Sequence, residues 1–322
     1  MAATLTTELY AAATERWMAR EFVQQWNVKQ PYLTYMQSNG KVVKGGHHLR
    51  VPISTTVPTN TGAIADLLAA LAYAGPTGQY ADYTWAQYGG RAAIDDGEKM
   101  KIAGEVGQLN LLQQRLRDVV DYVKLSLSID LFAKAQATNG AISFYDAVTN
   151  ASTLGGVTVS APWAGTHITA THATDPVGAA TIETDITTGS LALMGADAVP
   201  DLVLCSASVW TKLSAERAGK ALYYPSQNKS ISGYHAIVND QGTTIMYEPK
   251  MFEESGGTTG KIKGWILVMD TERNPLVKAT DSPSTVPFRE TNAFVEGYNA
   301  LWFAQQVLGK PNAIWLKDYK IT

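Results

Sequence analysis

Two neighbouring carboxylates, Asp95 and Asp96, are the residues whose pairing could support acid–base chemistry. Paired carboxyl groups with separated pKa values serve as proton donor and acceptor in many active sites. Glu98, however, follows Asp95 by three positions, as in a capping box in which Asp replaces Ser or Thr. Acidic side chains are also favoured beside the positive end of a helix. We therefore predict that the pair begins a helix and has no catalytic role.

The histidines show no metal-binding pattern. His47 and His48 are adjacent, His167 and His172 are five residues apart, and His235 stands alone. Two zinc-binding imidazoles on one helix need the spacing of the His-Glu-x-x-His motif. Because no histidine pair has that spacing, the sequence predicts no metal and no cofactor.

A glycine-rich run at residues 256–261 resembles a phosphate-binding loop at first sight. The motif needs glycine at position 255, where Ser255 stands, and Ser or Thr after Lys261, where Ile262 stands. The run is therefore predicted to be a turn. The Gly-x-Ser-x-Gly elbow of serine hydrolases is also missing from the sequence.

The only cysteine, Cys205, excludes an intramolecular disulfide and a zinc site built from several cysteines. It follows the apolar residues Leu202, Val203 and Leu204. Reactive thiols need a polar, electropositive setting. We therefore predict an inert thiol in a buried strand.

The composition of the 322-residue chain favours a folded protein with covered surfaces. Hydrophobic residues make up 45%, and the net charge is −3 from 26 basic and 29 acidic residues. Charged residues make up only 17%, against about 25% in ordinary soluble domains. The near-neutral charge excludes a general nucleic-acid coat and a polybasic membrane binder. The low charge indicates that partners cover much of the folded surface.

Targeting and membrane segments are not predicted. The first residues lack the basic and apolar regions of a signal peptide. The longest apolar stretch, residues 64–75, carries Asp66 and is shorter than the roughly 20 residues that span a bilayer. We therefore expect folding in a cytosol-like compartment.

The N-terminal region is predicted to form a helix over residues 6–26. Trp17, Phe22 and Trp26 lie on its apolar side. Either that side packs into the core or it docks onto a neighbouring subunit, because tryptophan is enriched at interfaces. Residues 31–40, which begin with Pro31, are predicted to break the helix.

Residues 41–94 are predicted to form a long two-stranded arm. Strand-like segments at 41–53 and 80–94 flank a tract in which residues 51–90 contain no Lys or Arg. An isolated two-stranded ribbon is only marginally stable in water, and a loop this long inside a domain is usually functional. The sequence therefore predicts that the arm lies on another subunit. The candidate contacts at its apolar tip are Leu67, Leu68, Leu71 and Tyr73.

A long helix is predicted over residues 105–138. Apolar residues recur there at intervals of three and four, at Leu109, Leu112, Leu116, Val119, Val123, Leu127 and Leu131. Such a helix would be about 50 Å long, which suits a spine better than a core helix.

Further helices are predicted at 181–194 and 208–219, and strands at 201–206, 233–238, 243–248 and 260–270. Residues 292–308 and 313–321 are predicted to pair as a terminal hairpin across the turn at Gly309 and Pro311.

The order of these parts resembles the major capsid protein of tailed bacteriophages. Gly46-His47-His48 leads into the first strand of the arm, and Trp85 lies in the returning strand. Asp201, followed by the buried strand and Trp210, resembles the start of the family's axial domain. Ser232-Gly233-Tyr234 and Tyr247-Glu248-Pro249 resemble later strands of that domain.

The resemblance implies an α+β fold with an N-terminal arm, an extended β-loop, a spine helix, and peripheral and axial domains. Their expected ranges are 1–40, 41–94, 95–190 for the spine and peripheral domain, 191–290 for the axial domain, and 291–322 for a hairpin returning to the peripheral domain. The implied function is structural and not enzymatic.

The implied protein self-assembles into pentamers and hexamers of an icosahedral head that holds double-stranded DNA. The implied partners are further copies of the chain, scaffolding and portal proteins, and decoration proteins in some relatives. The implied location is the virion head, assembled in the host cytoplasm. The expected contact residues are Trp17, Phe22, Trp26, Leu67, Leu68, Leu71 and Tyr73.

Some members of that family join their subunits by a Lys–Asn isopeptide bond from a loop lysine. Since residues 51–90 contain no lysine, we expect no such cross-link. Only about 40 residues precede the arm, so we expect a separate scaffolding protein. Three other interpretations stay open: an encapsulin-like cargo compartment, a soluble enzyme, and a tail or decoration protein.

Overall fold

The computed structural model describes residues 30–54, 78–101, 104–159, 163–168, 179–220, 228–231, 234–238, 243–253, 262–290 and 295–320. The helices in these ranges are α1 (Pro31–Asn39), α2 (Asp96–Lys101), α3 (Gly104–Leu131), α4 (Phe144–Thr149), α5 (Ala179–Gly195) and α6 (Ala207–Lys220). The strands up to the middle of the chain are β1 (Lys41–Val42), β2 (His48–Ser54), β3 (Gly78–Thr84), β4 (Ala86–Asp95), β5 (Thr153–Leu154), β6 (Val157–Thr158), β7 (Thr166–Ile168) and β8 (Leu202–Cys205). The later strands are β9 (Asn228–Ile231), β10 (Tyr234–Val238), β11 (Thr244–Tyr247), β12 (Ile262–Met269), β13 (Leu276–Lys278), β14 (Ser284–Glu290), β15 (Val295–Gln306) and β16 (Ile314–Lys320).

A seven-stranded sheet has the order β7-β16-β12-β8-β11-β10-β9. Its central strands β8 and β12 run antiparallel, with Leu204 opposite Leu267. Helices α5 and α6 pack on one face of this sheet. The strands predicted at 201–206, 233–238, 243–248 and 260–270, and the two helices predicted beside them, are confirmed. Cys205 is fully buried, as predicted.

A five-stranded sheet is built around the long strand β15. Strand β4 pairs along one edge of β15, while β14 and then β13 pair along the other edge. The short strand β1 adds to β13 in parallel. Helix α3 covers one face of this sheet.

The predicted terminal hairpin is wrong. Both strands exist, but β15 belongs to the five-stranded sheet and β16 to the seven-stranded sheet. Strand β16 is occupied on both edges, by β12 and β7. Since both edges of β15 are also paired, the two strands have no free edge to share. A 3-10 turn at Pro311–Ala313 carries the chain between the sheets.

The predicted break at 31–40 is also wrong, because this segment forms helix α1. Pro31 occupies the first turn, where its missing N–H costs no hydrogen bond. Tyr32, Leu33 and Met36 are buried, so tertiary packing outweighs the weak helical pattern of the sequence.

The long helix exists but ends at Leu131 and not near residue 138. Its 28 residues span about 42 Å. Phe132 is fully buried and turns the chain into the core, and Asn139 takes a left-handed conformation with φ of 62°. Along the predicted stripe, Val123, Leu127 and Leu131 are buried, while Leu112, Leu116 and Val119 are half-buried.

The shared core lies between the seven-stranded sheet, α1, α4 and the end of α3. Aromatic rings pack edge-to-face there, with Tyr32 against Phe132 at 5.4 Å and against Phe144 at 5.6 Å between ring centroids. Trp265 of β12 joins the same cluster.

Candidate assembly surfaces

All seven residues predicted as inter-subunit contacts lie outside the described residues. Trp17, Phe22 and Trp26 precede residue 30, and Leu67, Leu68, Leu71 and Tyr73 fall between the ends of β2 and β3. The structure describes the elements from which these two segments depart. They are helix α1 and the ribbon formed by β2 and β3.

The ribbon is antiparallel, with His48 opposite Thr84 and Ser54 opposite Gly78. The structure differs from the prediction at the base of the arm. Lys41 pairs with Val277 and not with the returning strand, and β4 leaves the ribbon to join β15. The ribbon therefore begins at His48 and Thr84, and not at Lys41 and Ile94.

One face of the ribbon packs against the body of the same chain. Leu49, Ile53, Ala81 and Tyr83 are all buried and belong to the main core. The Tyr83 hydroxyl donates a hydrogen bond of 2.9 Å to the carbonyl of Leu308. Burial raises the pKa of Tyr83 well above its usual value. The base of the ribbon therefore needs no second subunit.

A tight turn at Gly155 also holds the ribbon. The Asp82 amide donates to the Gly155 carbonyl over 2.8 Å. Gly155 has φ of +56°, and an added Cβ would lie 2.8 Å from the Cβ of Ala81. Glycine is favoured because the left-handed backbone angle disfavours most side chains and the nearby Ala81 leaves no space for a Cβ.

The opposite face of the ribbon is polar and exposed. Arg50 forms a two-pronged ion pair with Asp82, with distances of 2.7 and 2.9 Å. The hydrogen bonds from Arg50 lower the pKa of Asp82. Tyr80 lies beside Arg50 and is 62% exposed.

The inner face of the five-stranded sheet is attached to α3 by packing and polar bonds. An added Cβ on Gly90 would lie 2.5 Å from a methyl group of Val119, so glycine permits the close approach. The Tyr88 hydroxyl donates to Asp130 over 2.7 Å and accepts from the amide of Ala141 over 2.8 Å. These bonds fix the end of α3 against β4.

The predicted role of Asp95 at a helix start is confirmed. Its carboxylate accepts the backbone N–H of Glu98 at 2.6 Å, at the start of α2. The side chain of Glu98 binds Arg115 of α3, at 2.7 and 2.9 Å. The ion pair between Glu98 and Arg115 therefore connects α2 to α3.

The outer face of the five-stranded sheet carries apolar side chains. Val286 is 49% exposed and Leu301 is 40% exposed. The guanidinium of Arg91 stacks over the Phe288 ring at 3.7 Å. Sequence reasoning missed this face, although alternation along β14 and β15 was its available signal.

A buried polar group around Asp318 was also missed by sequence reasoning. Its carboxylate lies 2.8 Å from Nε2 of His167 and accepts a 3.0 Å hydrogen bond from the Tyr145 hydroxyl. These residues come from β16, β7 and α4, so no local sequence pattern joins them. Over the described parts of the chain, no group of three or more His, Cys, Asp or Glu residues is arranged to hold a metal ion.

Of the remaining histidines, two lie in different strands of the described residues. His48 begins β2 and His235 lies in β10. His172 and residues 256–261 are outside the described residues. None of the described helices has the length and apolarity needed to cross a bilayer.

Comparison with known proteins gives matches in structure and not in sequence. No protein-family model and no curated protein matches the chain. The cyanophage A-1(L) capsid matches with a TM-score of 0.62 at 10% identity, over 95% of this chain and 96% of that one. The capsid of Myoviridae phage XM1 matches with a TM-score of 0.59 at 11% identity, over 94% and 96%.

An encapsulin has the same architecture. The SrpI encapsulin of Synechococcus elongatus matches with a TM-score of 0.58 at 12% identity, over 96% of this chain and 94% of that one. The chain therefore has the α+β major capsid fold of tailed phages, as its sequence predicts.

Proposed function

We propose that this protein is the shell subunit of a tailed-phage head, a structural protein and not an enzyme. The observation that carries the proposal is the extent of the structural similarity. It extends over 95% and 94% of the chain in the two phage capsids. The low content of charged residues supports the same function, because assembled shells cover much of each subunit.

In this proposal the subunit assembles with copies of itself into pentamers and hexamers of an icosahedral head around packaged double-stranded DNA. Its further partners are a separate scaffolding protein, a portal protein and, where present, a decoration protein. The location is the virion head, after assembly in the host cytoplasm. The division at 1–40, 41–94, 95–190, 191–290 and 291–322 belongs to the same proposal, except that residues 291–322 form no hairpin of their own and that residues 41–47 and 85–94 lie outside the paired ribbon.

Negative-stain electron microscopy of the expressed chain, alone and with a co-expressed scaffolding candidate, tests the proposal. Closed shells or capsomer rings are expected. Small globular particles under both conditions would contradict it and favour the soluble-enzyme alternative, whereas tubes or surface trimers would favour a tail or decoration protein. Denaturing electrophoresis of the shells should show a monomer band, because residues 51–90 contain no lysine for a cross-link.

The encapsulin match supports a second candidate, a compartment that encloses a cargo protein. The contents of purified native particles separate the two functions. Nuclease-protected double-stranded DNA supports a phage head, and an enclosed enzyme without a genome supports a compartment.

The apolar loop tip is proposed as an inter-subunit contact. The double change Leu68→Asp and Leu71→Asp should abolish shell formation, because two charges would have to be buried at the contact. Sedimentation of the variant should show only small oligomers, with an unchanged circular dichroism spectrum.

The matched control places the same two charges at polar positions of the same loop, as Thr59→Asp and Thr61→Asp. This control should still assemble. If the leucine variant forms normal shells, the loop tip is not an essential contact. The aromatic residues Trp17, Phe22 and Trp26 are proposed as contacts on the same grounds and can be tested by the same assay.

A further inference from the structure

Helix α1 is held at its N-terminal end by a buried carboxylate from the seven-stranded sheet. Glu248, which directly follows β11, has no exposed surface. Its Oε2 accepts the backbone N–H of Tyr32 at 3.0 Å, in the first turn of α1. Its Oε1 accepts the backbone N–H of Lys250 at 3.2 Å.

The C-terminal end of α1 is held by a buried ammonium group from the five-stranded sheet. Lys278 of β13 is 1% exposed. Its Nζ donates to the carbonyls of Met36 and Gln37 at 3.2 and 3.4 Å. Asp281 lies 3.3 Å from the same nitrogen. A cation at the C-terminus complements the helix dipole, and an acceptor at the N-terminus satisfies an N–H group that has no partner within the helix.

Two tyrosines of α1 add one bond to each sheet. The Tyr32 hydroxyl donates to Gln306 of β15 at 2.8 Å. The Tyr35 hydroxyl donates to Asp201, beside β8, at 3.4 Å. Beyond the helix, an added Cβ on Gly40 would lie 3.0 Å from the carbonyl oxygen of Leu276, so the chain passes close to β13.

We propose that α1 is a two-ended clamp that couples the seven-stranded sheet to the five-stranded sheet, and that closing the clamp takes up a proton at Glu248. The device belongs to a single subunit and does not depend on the proposed function.

The charged and titratable groups around Glu248 determine the direction of the effect. Burial raises the pKa of Glu248 to about 7, while the backbone N–H groups of Tyr32 and Lys250, and the Lys250 charge, oppose that rise. An electrostatic interaction also links Glu248 to the preceding residue, Tyr247. From the other elements, Ser128 of α3 faces Glu248, and Asp201 and Tyr35 face the neighbouring Tyr32.

Opening the clamp returns the Glu248 carboxyl group to water, where its ordinary pKa is 4.5. The closed state therefore binds the proton more tightly than the open state. Closure is favoured at low pH and is weakened as the pH rises from 4.5 through about 7. For these two values, the population of the open state increases about 30-fold between pH 5.5 and pH 8.

Hydrogen exchange of the full chain, followed by mass spectrometry of peptides covering α1, measures this opening. After correction for the intrinsic effect of pH on amide exchange, protection of α1 should fall about 30-fold between pH 5.5 and pH 8. In Glu248→Gln the protection should be nearly independent of pH, because the amide cannot titrate.

Two variants complete the test. Lys278→Met should lower protection about tenfold at both pH values and leave the pH ratio unchanged, since it alters the other end of the clamp. Glu253→Gln is the matched control, because exposed Glu253 accepts a bond of 2.7 Å from the amide of Ser208, near the start of α6. It should behave as the wild type at α1.

Equal protection of α1 at both pH values in the wild-type chain would overturn the proposal. If the protection of α1 in Glu248→Gln still falls between pH 5.5 and pH 8 as it does in the wild type, the proton belongs to another group. That result would overturn the proposal as well. If Glu248→Gln fails to fold, the ratios in the wild type and in Lys278→Met still decide the outcome.

Discussion

The two sheets of this molecule differ in how completely the chain covers them. In the seven-stranded sheet, Val203, Ile266 and Val268 face α5 and α6, while Leu204 and Leu267 face the aromatic core. Every residue of β12 from 264 to 269 is buried. In the five-stranded sheet, α3 covers the inner face, and the outer face exposes Val286 and Leu301.

The covered seven-stranded sheet stabilises the folded chain, whereas the outer face of the five-stranded sheet is exposed and can contact other molecules. A sheet covered on both faces contributes most to folding, because nearly all its apolar area leaves water within one chain. A sheet covered on one face contributes less and leaves apolar area exposed. Substitutions in the two sheets should therefore differ in their effect on the stability of the subunit.

The largest difference is expected between two leucines. Leu267→Ala in β12 should lower the free energy of unfolding by about 2–5 kcal/mol, because it leaves a cavity in a closed core. Leu301→Ala in β15 should lower it by about 0.5 kcal/mol, because this side chain is already 40% exposed. Chemical denaturation of the dissociated subunits measures both values. Equal losses would show that the outer face of β15 is covered within the subunit.

A smaller difference is expected between two adjacent glycines of β4, which point to opposite faces of the five-stranded sheet. Gly90→Ala places a Cβ 2.5 Å from Val119 of α3, and this overpacking should cost about 1–3 kcal/mol. Gly89→Ala meets the tip of the Leu301 side chain at 3.0 Å and the Ala300 carbonyl oxygen at 3.5 Å, an ordinary contact distance. The close neighbour is therefore the Leu301 side chain. That side chain can rotate into solvent, so the change in stability should be near zero.

Thermal unfolding of the two glycine variants provides the comparison. A loss of stability in Gly89→Ala as large as in Gly90→Ala would mean that both faces of β4 are tightly packed. Such a result would contradict the one-sided coverage of this sheet.

The covered sheet was also the easier one to predict from the sequence. Continuous apolar runs such as Leu202, Val203 and Leu204 predict a strand buried on both faces, and such a strand needs little further information. The apolar stripe of α3 was equally clear until Leu131. The end of α3 was missed, because the burial of Phe132 is a tertiary effect that periodicity does not contain.

The strand pairing within the five-stranded sheet could not be predicted. Residues 292–308 were correctly assigned as a strand, but adjacency in the chain suggested pairing with 313–321, whereas β15 pairs with distant β4, β13 and β14. Helix α1 was missed because its residues show weak helical periodicity, and Glu248 and Lys278 hold it from positions more than 200 residues away. Long-range contacts of this kind leave no local pattern.

Of the candidate contact surfaces, the sequence indicated the apolar loop tip but not the polar and apolar faces of the ribbon below it.

The smallest expected difference lies in the ribbon, where one face is held by the subunit and the other is exposed. Tyr83→Phe removes the hydroxyl group that donates to the Leu308 carbonyl at 2.9 Å. The buried carbonyl is then left without this hydrogen bond, which should lower the free energy of unfolding by about 1–2 kcal/mol. Tyr80→Phe, three residues earlier in β3 on a side chain that is 62% exposed, should change that free energy by about 0.2 kcal/mol or less. Chemical denaturation of both variants, with hydrogen exchange of peptides from β2 and β3, measures the effect. If Tyr83→Phe were as neutral as Tyr80→Phe, the hydroxyl bond to Leu308 would contribute little to holding the ribbon base against the rest of its own chain.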